Sequence, residues 1–206
     1  MKVQVITDST SDIPPGMDED QYRNWLSADL IKSSLTMTRK LGVKPRFFAI
    51  PYGEYSLQLI EEAKKVGYEA ILTQDPGSVS IDSDLFLLPR EPILGNDWST
   101  MKHFEEVLKR VDLPARDFRP SFGRSSVIPS LFGATILEPD LYEPASFRIY
   151  VSELGWQKAT MQGDFAVVTN SSTLNRRINR VAISGREKES GRTAIRYWML
   201  VKEIEN

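Results

Sequence analysis

The hydrophobic pattern changes character near residue 112, and this change limits the folds open to the chain. Before it, short apolar runs alternate with stretches in which apolar residues recur every three or four positions, and two of these stretches end at Gly42 and Gly67. Such alternation predicts parallel strands joined by crossover helices. After residue 112, strand-like runs are separated by turn residues. The second half therefore predicts an antiparallel β-sandwich, and the fold class is α/β plus all-β.

The segment between the two halves carries the features of a linker. Residues 113–123 include two prolines, and a third follows at Pro129. Such spacing suits an extended connection. We therefore predict an α/β domain over residues 1–112, a linker over residues 113–123 and a β domain over residues 124–206.

Composition and charge exclude several classes of protein. The formal net charge of −2 gives no reason to expect a nucleic-acid partner. No apolar run approaches the roughly 20 residues that a membrane-spanning helix needs, and the N-terminus turns polar too early for a signal peptide. We expect a cytoplasmic chain as it stands, or an envelope-associated one if it is part of a longer protein. The absence of cysteine excludes disulfides and thiolate catalysis.

The chain contains a single histidine, which rules out a site of two imidazoles within one copy. His103 lies among Met101, Phe104 and Leu108, which recur at helical spacing. This spacing predicts a helix with an apolar stripe and places His103 at its surface or boundary.

An ordered set of short motifs surrounds the end of the strand-like run RFFAI. The run stops at Pro51–Gly53, a helix-like stretch follows, and Gly-Tyr-x-Ala at residues 67–70 leads into a second strand and Asp75. Leu-Pro-Arg follows at residues 88–90. The order and spacing resemble the polysaccharide deacetylases of the NodB-homology type, carbohydrate esterase family four. The resemblance covers residues 18–108 and implies a partial (β/α) barrel of the deacetylase type.

The resemblance implies a chemistry and a ligand. In this family a divalent metal held by an aspartate and two histidines polarises an acetyl carbonyl and activates water, and a second aspartate is the general base. By resemblance, the backbone N–H of Tyr52 stabilises the oxyanion, Asp75 takes part in catalysis and Pro51 contacts the substrate. The implied enzyme is a metal-dependent carbohydrate deacetylase, and the implied substrate is an acetylated polysaccharide of a bacterial envelope.

Two features of the family have no counterpart in the printed sequence: the Thr-Phe-Asp-Asp segment and the His-x-x-x-His pair. At the distance where the histidine pair is expected, Asp8 and Asp12 stand four residues apart. Their carboxylates could hold a hard divalent cation, or they could cap and solvate a loop. We expect the chain to correspond to the C-terminal part of a deacetylase catalytic domain and to be catalytically impaired on its own. A second copy, the β domain or a missing N-terminal segment would complete the barrel.

Aromatic and basic residues outside these motifs offer a second possible contact with glycan. A sugar-stacking platform could include Trp98, Trp156, Tyr197 and Trp198, although core packing explains these residues at least as well. The segment LNRRINR at residues 174–180 is a basic cluster that could meet an anionic glycan or lie on a solvated strand edge.

Two other functions stay open at this stage. The first is a non-catalytic carbohydrate-binding or scaffolding protein. The second follows from TDSTSD at residues 7–12, which resembles the opening of the DegV fatty-acid-binding family and implies a small-ligand or fatty-acid carrier. Nothing after Gly16 continues that second resemblance.

Overall fold

The computed structural model describes residues 17–93, 95, 99–125 and 129–202. These residues form two compact units. The first unit contains residues 17–74 and 82–89, and we call it the α/β unit. The second contains residues 75–81 and the described residues from 90 onward, and we call it the β unit. The predicted domain boundaries at residues 112 and 123 stay a prediction.

Two helices and two parallel strands make up the α/β unit. The elements are α1 (Glu19–Leu41), β1 (Phe47–Ala49), a 3-10 turn (Pro51–Gly53), α2 (Leu57–Val66), β2 (Ala70–Leu72) and a second 3-10 turn (Leu85–Leu87). Strand β1 pairs with β2 in parallel, with Phe47 opposite Ala70. Leu88 forms a further parallel bridge to Leu72. The mixed helix and sheet content of this half agrees with the strand–helix alternation in the sequence.

Local signals explain where the two helices begin and end. Asp18 and Gln21 form a capping box at the start of α1, and Gly42 ends that helix with φ 72°. The Ser56 hydroxyl accepts a hydrogen bond from the Leu59 N–H at the start of α2, and Gly67 ends it with φ 93°. Both glycines adopt the left-handed conformation that glycine accepts at little cost. The predicted helix ends are therefore confirmed.

The buried face of α1 differs from the predicted one. Spacing in the sequence predicts a stripe of Leu30, Met37 and Leu41. The structure buries Leu30, but Leu41 is exposed, and the other buried positions are Tyr22, Leu26 and Ser34. The buried stripe advances by four residues at each step and stops at Ser34, so the last turns of the helix lie outside it.

One helix and ten strands make up the β unit. They are α3 (Met101–Lys109), β3 (Val111–Asp112), β4 (Ala115–Arg119), β5 (Gly123–Ser125), β6 (Leu131–Ile136), β7 (Arg148–Val151), β8 (Gly155–Lys158), β9 (Thr160–Gln162), β10 (Phe165–Thr169), β11 (Ile178–Arg186) and β12 (Thr193–Lys202). Short 3-10 turns at Pro139–Leu141 and Pro144–Ser146 precede β7. Strand β4 lies within the segment that the sequence predicts as a linker.

The strands form two sheets that share one core. The first sheet has the order β4-β6-β10-β9, and the second has the order β3-β12-β11-β7-β8, with β5 also paired to β12. Strands β3 and β5 run parallel to β12, and the other pairs are antiparallel. Both sheets contribute to a single buried cluster that includes Phe132, Val168, Ile149, Val181 and Trp198.

The last two strands form the predicted hairpin. Strands β11 and β12 pair from Ile178 opposite Val201 to Arg186 opposite Thr193. The Gly191 N–H donates a hydrogen bond to the Glu187 carbonyl at 3.0 Å inside the loop. The polar, glycine-bounded segment of residues 185–192 therefore closes a hairpin, as its composition predicts.

In helix α3, the apolar residues that recur at helical spacing are exposed to solvent. Met101, Phe104 and Leu108 are exposed, whereas His103 and Val107 are half-buried. The half-buried position of His103 agrees with its predicted place at the surface or boundary of the helix, beside the apolar stripe. Periodicity shows which residues share a face of a helix, but only long-range packing decides which face is covered. Among the described residues, no helix has the length and apolarity that crossing a bilayer requires.

The contact between β6 and β10 leaves no room for a side chain at Gly133. A Cβ atom there would lie 2.5 Å from the Ala166 carbonyl oxygen and 2.8 Å from the Phe165 ring. Because the nearer atom belongs to the backbone, we expect Gly133→Ala to lower the free energy of unfolding by about 2 kcal/mol or more. Urea denaturation measures this loss.

Gly95→Ala is the matched control, because a Cβ atom at Gly95 would meet nothing within 4 Å. Equal unfolding midpoints for the two variants would contradict the close β6–β10 packing.

Candidate functional site

The corner at Pro51–Gly53 begins where β1 leaves its sheet. The Ile50 N–H donates to the Leu72 carbonyl at 2.9 Å, so pairing with β2 continues one residue past Ala49. Pro51 then removes the next backbone donor, and the chain enters a 3-10 turn. The corner therefore stands at the carboxyl end of a parallel strand, where α/β folds place reactive groups.

Tyr52 has an unusual backbone conformation for a bulky residue. Its φ is 54° and its ψ is −3°, in the left-handed region. This conformation costs on the order of 1–2 kcal/mol for a residue with a Cβ atom. The side chain is 78% exposed, while Pro51 and Gly53 on either side are buried. Packing of the tyrosine ring does not explain the conformation, so the strain is a feature of the turn itself. Such strain concentrates at functional sites.

The Gly-Tyr-x-Ala motif is accounted for by packing. Gly67 ends α2, and its N–H donates to the carbonyls of Ala63 and Lys64. The buried Tyr68 ring packs on Phe48, with ring centroids 5.4 Å apart, and Ala70 is buried at the start of β2. Burial raises the pKa of Tyr68 to about 12. A helix end and packing inside the α/β unit therefore explain these motif residues.

The Leu-Pro-Arg motif extends the parallel pairing. The Leu88 N–H donates to the Ile71 carbonyl at 3.0 Å, and the Thr73 N–H donates to the Leu88 carbonyl at 2.8 Å. Three chain segments thus lie side by side in the order β1, β2 and Leu88. This succession is the arrangement expected for consecutive strands of a parallel sheet.

Asp75 lies in the β unit and is 4% exposed. Its Oδ1 atom is 3.4 Å from the Arg180 Nε atom, and its carbonyl accepts a hydrogen bond from the Arg90 N–H at 3.0 Å. Burial lowers the pKa of Arg90. The structure therefore gives Asp75 an ion pair within the β unit, and its catalytic role stays a prediction.

The remaining predicted site residues, Asp8, Asp12 and Trp98, lie outside the described residues, as does the TDSTSD segment. Within the described ranges, no three histidine or carboxylate side chains come together in a way that could hold a metal ion. The described residues thus offer no cage for the divalent metal that the family resemblance implies.

A cleft in the β unit brings together residues that the sequence presents separately. It measures about 1060 Å³, and its lining includes Trp156, Arg176, Arg180, Arg192 and Tyr197. The sequence indicates the aromatic residue and the basic cluster as two unrelated possibilities. Their proximity follows from strand pairing, which no local sequence pattern reveals.

The strain at Tyr52 predicts an unusual response to mutation. Because the side chain is exposed, Tyr52→Ala should change the free energy of unfolding only slightly. Tyr52→Gly should make the protein about 1 kcal/mol more stable than Tyr52→Ala, because glycine adopts φ 54° without a steric penalty. Urea denaturation of both variants measures the difference. If the alanine variant is the more stable one, the turn is not strained at this residue.

The Asp75–Arg180 pair predicts a loss of stability when one partner is neutralised. Asp75→Asn should lower the free energy of unfolding by about 1–2 kcal/mol, a value reduced because the Arg180 side chain is 35% exposed. Chemical denaturation of Asp75→Asn, Arg180→Gln and the double variant forms a thermodynamic cycle. Additive effects would show that the two side chains do not interact.

Comparison with known proteins gives this geometry a context. No family model matches the chain. An 88-residue stretch is 34% identical to the poly-beta-1,6-N-acetyl-D-glucosamine N-deacetylase of Escherichia coli strain K12, and the protein of that name in Escherichia coli O157:H7 matches equally. The aligned stretch is 43% of this chain, and the chain spans only 13% of the length of these curated relatives.

Two solved structures carry related names. The BpsB deacetylase domain of Bordetella bronchiseptica is 28% identical with a TM-score of 0.36, over 36% of this chain and 28% of that domain. A de-N-acetylase from Aggregatibacter actinomycetemcomitans is 25% identical with a TM-score of 0.36, over 44% of this chain and 33% of that protein.

These TM-scores are too low to support a statement about the fold, so the relationship rests on the identity to the curated relatives. That identity confirms the resemblance to polysaccharide deacetylases. The chain is related to the polysaccharide deacetylases.

Proposed function

We propose that this chain is a deacetylase-like module that acts on acetylated glycan of the poly-N-acetylglucosamine type. The observation that carries the proposal is the strained, exposed Tyr52 at the end of β1. It occurs in a chain that is 34% identical, over 88 residues, to enzymes named for removing acetyl groups from such a glycan. Packing explains the neighbouring motif residues but not this one.

The role proposed for the corner depends on the backbone and not on the tyrosine ring. A backbone N–H held in a rigid turn can donate to the oxygen that becomes negative when an acetyl carbonyl is attacked, and it needs no reorganisation to do so. The Pro51–Gly53 turn gives the Tyr52 N–H such a rigid setting, because the residues on either side are buried. The free energy that the left-handed conformation of Tyr52 costs is then spent on directing its N–H group toward the substrate. Pro51 supplies a fixed apolar surface beside it.

The proposed architecture is part of a deacetylase-type (β/α) barrel followed by an antiparallel β-sandwich. The parallel succession of β1, β2 and Leu88 supports the first part. Two mainly antiparallel sheets with a common core support the second. The division at residues 112 and 123 is part of this proposal, and limited proteolysis would reveal whether cleavage falls there.

We further propose that the 206-residue chain binds acetylated glycan without completing its hydrolysis. The chain has one histidine, and the described residues bring no metal-holding group together. The corner could then position an acetyl group, while the chain provides no second imidazole to activate the attacking water through a metal of the family type.

An experiment with the purified chain, tetra-N-acetylglucosamine and zinc distinguishes binding of the glycan from release of acetate. We expect saturable binding in calorimetry and no acetate above the rate without protein. Release of acetate at a catalytic rate would overturn the proposed impairment, and absence of binding would overturn the proposed glycan ligand.

The role of the corner can be tested in the same titration by following backbone amides with ¹H–¹⁵N NMR. The Tyr52 amide should shift as the acetylated tetramer binds, and the amide of Gly163, in the β9–β10 turn, is the control. Tyr52→Ala should retain the shift at residue 52, because the N–H group remains. If the chemical shift of the Tyr52 amide does not change at saturating ligand, the Pro51–Gly53 corner does not bind the glycan.

A further inference from the structure

The cleft of the β unit lies on the face of the six-stranded sheet opposite the shared core. Side chains alternate between the two faces of a strand. Ile149 and Val151 of β7 belong to the shared core, so Tyr150 between them points to the opposite face. Tyr150 stands opposite Trp156 of β8 in the sheet, and both line the cleft. These aromatic side chains form part of its floor.

The cleft has an excess of positive charge. Two carboxylate residues line it, Glu91 and Glu106, against five cationic residues, which are Lys109, Arg110, Arg176, Arg180 and Arg192. Of the five cations, Arg110 is already paired with Glu91 at 3.2 Å, and Arg180 with Asp75 at 3.4 Å. The whole chain has a net charge of −2, so this local excess runs against the overall balance. It makes the cleft attractive to a ligand with negative charge.

Two of these arginines contribute positive charge at the cleft, Arg192 on neutral acceptors and Arg176 beside the Glu153 carboxylate. The Arg192 guanidinium donates to the carbonyls of Lys109 and Arg110 at 2.9 and 3.4 Å, which are neutral acceptors. These bonds hold the side chain in place without neutralising it. The Arg176 backbone N–H donates to the Glu153 carboxylate at 2.6 Å, which fixes its main chain. Arg176 itself is exposed at the cleft.

Trp156 provides the second recognition element. Its ring lies 5.3 Å from the Tyr150 ring, yet the residue remains 42% exposed. An exposed indole in a polar cleft is a suitable platform for the apolar face of a sugar ring. Ser184, Ser190 and Thr193 also line the cleft. Tyr197 also lines the cleft, and burial raises its pKa to about 12.

We propose that this cleft is a second glycan-binding site, specific for an oligosaccharide that carries carboxylate groups. A sugar ring stacks on Trp156, and the sugar carboxylates face Arg176 and Arg192. Arginine suits this task because its planar guanidinium donates two parallel hydrogen bonds to a carboxylate. The same charges disfavour a sugar with free ammonium groups. This site goes beyond the function proposed for the corner and requires no acetyl group on its ligand.

Calorimetric titration of the full chain with tetragalacturonate tests the proposal. We expect saturable binding that weakens at least tenfold when the salt concentration rises from 50 to 500 mM, because several ion pairs form. Trp156→Ala and Arg176→Gln should each weaken binding at least tenfold. Arg116→Gln should leave it unchanged, because Arg116 is an exposed arginine on β4 of the other sheet. Circular dichroism verifies that each variant is folded.

Three outcomes would overturn the proposal: no binding of tetragalacturonate, equal binding of neutral tetra-N-acetylglucosamine that depends on Trp156, or tighter binding of a single-stranded DNA oligonucleotide that depends on Arg176. The proposals for the corner and for the cleft can be refuted independently of each other. Tyr52→Ala should leave galacturonate binding unchanged, and Trp156→Ala should leave the response of the Tyr52 amide to acetylated ligand unchanged.

Discussion

The register of β12 is the constraint on which the β unit depends. This strand pairs with β11 over nine positions and with β3 and β5 on its other edge. Trp198 and Leu200 enter the shared core, while Ile195 and Tyr197 line the cleft. A shift of one residue would exchange the two faces, moving Trp198 and Leu200 out of the shared core and Ile195 and Tyr197 out of the cleft. The core and the proposed glycan site are thus two consequences of one strand alignment.

A few directional contacts, namely a hydrogen bond, a ring contact and an ion pair, stabilise the arrangement of the core and the sheets. The Trp198 indole N–H donates to the Pro120 carbonyl at 3.0 Å, and its ring lies 4.8 Å from that of Phe118 in β4. Arg196 pairs with Asp112 at 3.0 Å. Burial supplies most of the stabilisation in such a cluster, while polar contacts of this kind select one arrangement among many apolar ones. They explain why a proline-containing segment that resembles a linker forms part of the packed structure.

The motifs that connect the chain to the deacetylases differ in what they contribute. Gly67 and Tyr68 are explained by a helix end and by packing on Phe48. Leu88 is explained by parallel pairing with β2. Tyr52 is the motif residue whose conformation costs free energy and whose side chain gains no burial in return. A residue of this kind indicates a function more strongly than a residue that packing explains.

Short-range physics was sufficient for much of the fold to be predicted from the sequence. The ends of α1 and α2 and the β11–β12 hairpin follow from caps, left-handed glycines and a polar turn, all of which act within a few residues. The motifs around Pro51–Gly53 were sufficient to indicate the relationship to deacetylases. Only tertiary structure decided three other features. These are the exposed face of α3, the strand inside residues 113–123 and the presence of Trp156 and Arg176 in one cleft. These features depend on strand register and on which surfaces are covered, and both are set by contacts between residues far apart in the chain.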